Sequence, residues 1–452
     1  MTDGGGGATN GFGPERPTAD AGGARGTTDS TGKGAPDGCE AAPHAADGGG
    51  GGTAAGFGGL LARRTAWGRS DAIGRILAAA NTPGVLSMAG GIPAPDSFPT
   101  DRLSAAAERV FARSATAALQ YAPSEGVPQM RRALAVRAGE TGAPVGPERV
   151  LITSGSQQGL DLLARTVLDE GDAVALDDPG YLGAVQLFRR AGARLLPVPT
   201  DREGMRVDVL EERLAAGERP KLVYVVPQFH NPTGGVLSEE RRRRLAALAE
   251  RYGFLVAEDD PYGDLAFTGG RLPSVDVHSG RVVRLMSLSK TLCPGLRVAG
   301  LVAPEGLFGE LSAAKQSCDL QTNSLGQYVV AELLSDPAFL PAHLDRLRSL
   351  YGHRARTTAS LLRRRLPWIA FDEPRGGLFF WCSVDDPRVT SDRLHAHARA
   401  EGVAIVPGTP FCIEQDGTRS LRLSFATLDE EQRHEAVARL AVAFEKARAE
   451  AS

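Results

Sequence analysis

The chain reads as an α/β protein with a mainly parallel sheet and a second, smaller α+β domain, on three observations. From about Val150, short apolar runs alternate with amphipathic stretches of helical period, the pattern of a sheet layered with helices. Acidic residues gather at the ends of those runs, where open α/β sheets bind ligands. About 400 residues follow a low-complexity start, too many for one small core, so one large and one smaller domain are expected.

Residues 1 to about 56 are dominated by Gly, Ala, Asp, Thr and Pro, with consecutive glycines from Gly48 to Gly52 and an isolated aromatic at Phe12. Such a segment cannot bury enough apolar surface to offset its ordering entropy and is expected to be a disordered tail. It lacks the charged start and apolar core of a signal peptide. No later run approaches the roughly 18 apolar residues of a membrane span, so a soluble protein with no membrane partner is expected. A formal net charge of −3 argues against a nucleic-acid partner held by general electrostatics. The Arg241–Arg244 run reads as the wet face of a helix. Cys39, Cys293, Cys318, Cys382 and Cys412 are scattered without metal-ligand spacing, which points to a reducing cytoplasm. His395 and His397, two apart, face different sides of a helix, and no metal site is expected.

Val150 to Thr153 reads as a strand. Ser154-Gly155-Ser156-Gln157-Gln158 then opens a helix with Leu160, Leu163 and Val167 on one side. A small-residue turn into a helix offers free N–H groups and the positive end of the helix dipole, a seat for phosphate as well as an ordinary cap. Ala173 to Leu176 is the next strand, and the Pro179-Gly180 turn beyond it delivers Tyr181, a ring able to stack on a planar ligand or simply to pack. Lys221 to Pro227 is a strand ending in Gln228-Phe229-His230-Asn231-Pro232-Thr233-Gly234-Gly235. Asn231 precedes proline, so its backbone is steered out of the helical region and its amide can be fixed toward a site. A helix capped by Ser238 and closed near Gly253 follows. Phe254 to Ala257 is another buried strand, running into Glu258-Asp259-Asp260-Pro261-Tyr262.

Val282 to Leu288 is a largely apolar strand that leads into Ser289-Lys290, with Arg297 after a Pro294-Gly295 turn. An unpaired ammonium is costly to bury. A lysine there is therefore either salt-bridged or used for its amine, as in a Schiff base to a carbonyl cofactor. The hydroxyls of Ser287 and Ser289 and the guanidinium fork of Arg297 suit a phosphate beside that amine. Pro341 to Arg365 reads as a long charged helix. Ser420 to Phe425, carrying Arg422, reads as a strand after the loop Pro407-Gly408-Thr409-Pro410-Phe411.

Several motifs recur in a fixed order: Ala89-Gly90-Gly91-Ile92-Pro93, Tyr121-Ala122-Pro123-Ser124-Glu125-Gly126, Ser154-Gly155-Ser156-Gln157, Asn231-Pro232-Thr233-Gly234, Asp259 with Tyr262, Ser287-Leu288-Ser289-Lys290, and Arg422-Leu423-Ser424-Phe425. Together they resemble the fold type I pyridoxal-phosphate enzymes of the class I/II aminotransferase family. The nearest branch holds aminoadipate-type transaminases and the aminotransferase domains of MocR-like regulators, and the resemblance runs from about Arg69 to Ala443. It implies the PLP-dependent transferase fold type I, pyridoxal 5'-phosphate as cofactor, and transfer of an amino group between an L-amino acid and a 2-oxo acid.

By the same resemblance, Lys290 would form the Schiff base and, once displaced, move the proton at the substrate's α-carbon by way of a carbanion. Asp259 would sit against the pyridine nitrogen and favour its protonated form. Asn231 and Tyr262 would hydrogen-bond the ring's 3-oxygen, and Tyr181 would stack on the ring. Gly155, Ser156, Gln157, Ser287, Ser289 and Arg297 would hold the phosphate. Tyr121 would reach it from a neighbouring subunit, which implies a homodimer with shared active sites. Arg422 would clamp the substrate α-carboxylate with two parallel hydrogen bonds, with Gly91 and Asn231 also at the substrate.

Departures from the family pattern bear on specificity. Many relatives in this branch carry an Ile-Arg pair in the N-terminal helix, where the arginine helps bind acidic side chains. Here Ile73-Gly74-Arg75 displaces the arginine by one position, about 100° around a helix. That argues against a simple dicarboxylate specificity and leaves room for a larger or cationic substrate. His230 stands where glutamine is frequent, and Leu301 where an aromatic is common. The same machinery serves enzymes that eliminate or replace a β- or γ-substituent or form C–C bonds, some acting on S-adenosylmethionine, so fold and cofactor residues leave the reaction open. A MocR-like regulator would add a winged helix with a basic stripe, which the first 56 residues do not carry. The expected organisation is a tail over 1–56, an N-terminal arm over 57–112 contributing to the small domain, a large cofactor-binding domain over 113–325, and a small C-terminal domain over 326–452.

Overall fold

In chain order the strands of the computed structural model are β1 (Leu86–Ser87), β2 (Val150–Thr153), β3 (Ala173–Asp178), β4 (Arg194–Asp201), β5 (Gly204–Met205), β6 (Pro220–Val225), β7 (Leu255–Asp259), β8 (Val282–Ser287), β9 (Ala299–Val302), β10 (Ile369–Phe371), β11 (Phe379–Val384), β12 (Val403–Ala404), β13 (Val406–Pro407) and β14 (Ser420–Ser424). The structure describes residues 58–67, 73, 74, 76, 78 and 82–450. The expected tail over 1–56 and Arg75 lie outside the described residues. The chain divides into two units, Met1–Leu60 and Leu61–Ser452. Of the first, only the turn Gly58–Leu60 is described. The second carries all the strands.

Its main sheet has eight strands in the order β2-β9-β8-β7-β6-β3-β4-β5. The four interior pairings from β8 through β7, β6 and β3 to β4 are parallel, while β2/β9, β8/β9 and β4/β5 are antiparallel. This is the mainly parallel α/β sheet expected from the sequence. Parallel neighbours need crossovers; the helices Leu182–Arg190, Val207–Ala215 and Glu239–Tyr252 lie in those between β3 and β7, while the β7–β8 crossover carries only the short turns Gly263–Leu265 and Val275–Val277. With helices over both faces, β3 is buried at every position.

Boundaries moved where charges are satisfied. The sequence ends the Phe254–Ala257 strand before its acidic residues, yet β7 continues through Asp259. Ladder pairing there is tolerated because Glu258 accepts from Ser274 Oγ and Val275 N, both at 2.8 Å, and Asp259 accepts from Tyr224. The strands β4 and β9 were not legible as strands. The helix Glu239–Tyr252 is capped as expected, with Ser238 Oγ accepting from Arg241 N and Gly253 in the left-handed region at φ 79°.

The arginine run on that helix is a correction. Arg241, Arg243 and Arg244 do pair with Asp201, Glu239 and Glu211 toward solvent. Arg242, however, is 0% exposed. Its three nitrogens donate to the carbonyls of Leu237, Pro273 and Pro227 at 2.8 Å each, so the guanidinium is a buried staple for loop backbone. Helical periodicity turns one residue of any four-residue run toward the core.

A second sheet, β10-β11-β14-β13, is antiparallel throughout, and β1 pairs in parallel with β12. The long helix runs over Phe339–Arg365, two residues earlier than expected. Leu285 of β8 and Phe380 of β11 belong to one continuous apolar cluster, so the two sheets share a core. Among the described residues no helix is long and apolar enough to cross a membrane.

Candidate active site

Strand register brings the expected residues together. β6, β7 and β8 lie side by side, and their C-terminal ends deliver Asn231, Asp259 and the Ser287–Lys290 turn to one edge of the sheet. At this edge a parallel sheet leaves room for a ligand. These residues line a cavity of about 300 Å³ with Gly91, Ser156, Gln157, Tyr181, Tyr262, Arg297 and Arg422. Gly155 precedes Ser156 at its rim.

Lys290 stands in the middle. Its Nζ donates to the Gly91 carbonyl at 2.7 Å, and among the described residues no carboxylate pairs with it. Burial, and then the Arg422 and Arg297 charges, lower its pKa to about 8, against the opposing pull of Asp259. Near neutrality this amine is partly unprotonated, the form that attacks a carbonyl or takes up a proton.

Asp259 is buried, and Tyr224 Oη donates to its Oδ2 at 3.0 Å while Oδ1 has no hydrogen-bond partner. Burial raises its pKa to about 7, with the Tyr224 hydroxyl and the Lys290 charge opposing the rise and Asp260 adding to it. A buried carboxylate oxygen facing a cavity without a donor is poised for a protonated ring nitrogen.

One end of the cavity suits phosphate. Gly155 takes φ 84° and starts the helix Ser156–Val167, whose first-turn N–H groups have no carbonyl within the helix to bond. A Cβ on Gly155 would collide with Arg297 Nη2, which donates to the Ser154 carbonyl at 3.0 Å. Arg297 itself sits in the left-handed region at φ 53°. Ser287 Oγ accepts from Ser289 N at 3.2 Å. Tyr181 Oη contacts Gln157 Oε1 at 3.4 Å, and burial pushes the phenol up to about 12.

The other end holds Arg422, on β14 and 4% exposed. Nη1 donates to Asn231 Oδ1 at 2.7 Å and Nη2 to the Ala89 carbonyl at 2.6 Å, while Nε has no partner. Its guanidinium carbon lies 4.3 Å from the Phe379 ring centroid and 5.0 Å from that of Phe411. Burial lowers its pKa to about 10. Among the described residues no carboxylate pairs with this buried cation. Tyr262 packs edge-on against Phe379 at 6.0 Å, and burial pushes its phenol well above the usual range.

One expected residue stands apart. Tyr121 is 78% exposed and does not line this cavity. His230, singled out as a departure, is buried with Nδ1 2.9 Å from Thr233 Oγ1 and Nε2 3.4 Å from Asp177 Oδ2. Burial pushes the imidazole down to about 3 and the Asp177 carboxyl up to about 8. Three contributors were missed: Tyr224, Phe379 and the Ile73–Ile76 wall. Tyr224 had a signal, since a phenol inside an apolar strand needs a partner for its hydroxyl.

The arrangement defines a class of site: a reactive amine, a buried carboxylate and a phosphate seat for a planar carbonyl cofactor, with a buried arginine for an anionic substrate. Residues 87–440 match the aminotransferase class I and II family. A 2-aminoadipate transaminase of Thermus thermophilus is 41% identical over 378 residues, which span 82% of this chain and 93% of that protein. An aromatic-amino-acid aminotransferase of Thermococcus litoralis is 35% identical, over 82% of this chain and 91% of the other. The crystal structure of LysN, an α-aminoadipate aminotransferase from Thermus thermophilus complexed with N-(5'-phosphopyridoxyl)-L-leucine, superposes with a TM-score of 0.80 at 40% identity, covering 87% of this chain and 99% of that one. The chain belongs to the class I and II aminotransferases and has their fold type I architecture.

Proposed function

We propose that this protein moves an amino group from an L-amino acid to a 2-oxo acid, with pyridoxal 5'-phosphate held between Lys290 and Asp259. The observation that carries the reading is Arg422, a buried cation without a carboxylate partner among the described residues, in the same cavity as a lysine with a depressed pKa. The residues fit the cofactor: Asp259 Oδ1 lacks a donor, and Gly155 has no side chain to displace the Arg297 guanidinium at the start of the helix.

When bound, pyridoxal phosphate supplies an aldehyde for the amine and a ring that withdraws electrons from the α-carbon. Lys290 provides the anchoring amine and, once displaced, holds and moves the α-carbon proton. Asp259 keeps a negative charge against the ring nitrogen. Asn231 and Tyr262 orient the ring oxygen, and Tyr181 covers the ring face. The Gly155–Gln157 turn, Ser287, Ser289 and Arg297 fix the phosphate. Arg422 would hold the substrate carboxylate and so orient the α-carbon for the reaction. Gly91, packed against Phe379, lets the chain pass close to Lys290.

The reading extends to a homodimer in which Tyr121, exposed on this chain, completes the neighbour's phosphate site. We also propose that residues 113–325 form the cofactor-binding part, and that 57–112 with 326–452 close over substrate. A cytoplasmic location is supported by the free thiols of Cys293, Cys318, Cys382 and Cys412.

The test is to mix the cofactor-loaded protein with single amino acids and S-adenosylmethionine, without any oxo acid, and follow absorbance together with product mass. Pyridoxamine phosphate and one equivalent of oxo acid are expected. Retained pyridoxal with loss of a side-chain group would instead establish elimination or replacement chemistry.

A further inference from the structure

Within the proposed reaction, the cavity is divided by charge. Its cations among the described residues are Lys290, Arg297 and Arg422, and its carboxylate is Asp259. Arg297 lies over Gly155 at the phosphate seat. Lys290 stands between the two arginines, whose charges both depress it. Arg422 and Asp259 are committed to the substrate carboxylate and the ring nitrogen. No charged side chain among the described residues remains for the far end of a substrate.

Beyond its hydrogen bonds to Asn231 and the Ala89 carbonyl, one side of Arg422 is apolar. The Phe411 ring, 5.0 Å from its guanidinium carbon, belongs to a cluster with Ala89, Leu182, Ala404 and Val406. Ile73 and Ile76 of the N-terminal arm pack on this cluster and also line the cavity, as does Ile92. A side chain rooted on an α-carbon clamped by Arg422 therefore meets Ile73, Ile76, Ile92 and Leu182. Burying a second carboxylate or an ammonium against these residues would strip its hydration with no counter-charge to replace it. An uncharged side chain gains from the same contact by losing apolar surface to water.

Resting on the proposed aminotransferase function, we infer that the substrate side-chain subsite, walled by Ile73, Ile76, Ile92 and Leu182, selects amino donors with uncharged apolar side chains over acidic or basic ones. Of the larger or cationic substrate that the displaced Arg75 left open, the inference sets aside the cationic one. Among the described residues of the cavity, a cationic side chain would find only Asp259, which the ring nitrogen would occupy.

Norleucine and 2-aminoadipate provide the test, because their side chains are alike in length and differ in a terminal carboxylate. With the cofactor-loaded enzyme, kcat/KM for norleucine should exceed those for 2-aminoadipate and lysine by about 10-fold or more, the scale of burying one charged group without a partner. Equilibrium binding gives a readout independent of turnover: hexanoate should bind more tightly than adipate by a similar factor. Ile76→Arg should reverse both preferences. Arg75→Ala should leave them unchanged. A preference for 2-aminoadipate and adipate, lost in Arg75→Ala, would overturn the inference while leaving amino transfer intact. Conversion of the cofactor by no amino acid at all would overturn the proposed function and this inference together.

Discussion

Arg422 Nη1 donates to Asn231 Oδ1 at 2.7 Å, joining β14 of the small sheet to the loop that leaves β6 of the large one. In the proposed reaction the contact would couple the substrate clamp to the cofactor-orienting amide across the seam between the sheets. With its Nε unpartnered and no carboxylate on it, the guanidinium keeps hydrogen-bonding capacity for an incoming anion.

Arg422→Ala should raise the dissociation constant of a carboxylate substrate by about 10- to 100-fold, the worth of one or two charge-assisted hydrogen bonds. Cofactor affinity should change far less. Parallel titrations of substrate and cofactor check this, and equal losses of both would count against the clamp.

Lys290→Ala should abolish the absorbance of the bound aldehyde and lower turnover by about 100-fold or more, the range of a lost general acid–base group. In the parent protein the amine must be unprotonated to attack. With its pKa lowered to about 8, the rate of cofactor capture should climb from pH 7 and level off above about 8. Stopped-flow absorbance over that range decides it. Full turnover by the alanine variant would remove Lys290 from the reaction.

Asp259 should impose a pH dependence on the stability of the cofactor-free protein. Its folded pKa of about 7 lies above the ordinary 3.8, so the native state binds the proton more tightly than the unfolded chain. The stability it contributes is present below about pH 4 and is lost as pH rises through about 7. Asp177, raised to about 8, acts in the same direction, so the comparison must be with Asp259→Asn. That neutral variant should gain about 2 °C or more in Tm relative to the parent between pH 5 and pH 8. A constant difference in Tm across this window would show that the carboxyl titrates normally.

Gly155→Ala should weaken cofactor binding by about 10-fold or more. A side chain at φ 84° is strained, and its Cβ would displace the Arg297 guanidinium. Spectroscopic titration with pyridoxal phosphate measures the change. Unaltered affinity would mean that Arg297 does not need its present position.

Asp178 should act as a latch. Its carboxylate accepts from Ile413 N, Glu414 N and Gln415 N at 2.9 to 3.0 Å, tying the end of β3 to the loop after Phe411. Asp178→Ala would strand three backbone donors and should cost about 3 kcal/mol or more. Asp178→Asn retains one acceptor oxygen and should cost less. Thermal unfolding of the two variants is the check, and equal or negligible losses would mean that the loop is held by other contacts.

Much of this was legible along the chain. Apolar runs such as Val150–Thr153 and the largely apolar Val282–Leu288 declare themselves as strands because burial on both sheet faces favours hydrophobic residues at most positions. The residues at their ends, Asp259 and Lys290, stand out because charge next to such a run is costly unless it is used. The sequence alone thus determined the α/β class, the sheet's direction and the identity of nearly all the cavity's polar groups. Motif order identified the family, since order along a chain survives without coordinates.

Only the tertiary structure decided what those groups meet. Tyr224 and Asp259 are far apart in sequence and become hydrogen-bonded because β6 and β7 are parallel neighbours. Arg242 and its neighbours look alike in sequence, yet one is wholly buried, because helix rotation and three distant carbonyls decide its place. The apolar wall beside Arg422 draws on the N-terminal arm, the start of a helix and the loop after β13. A pattern of nearest neighbours carries no information about such a convergence, since long-range packing and burial assemble it.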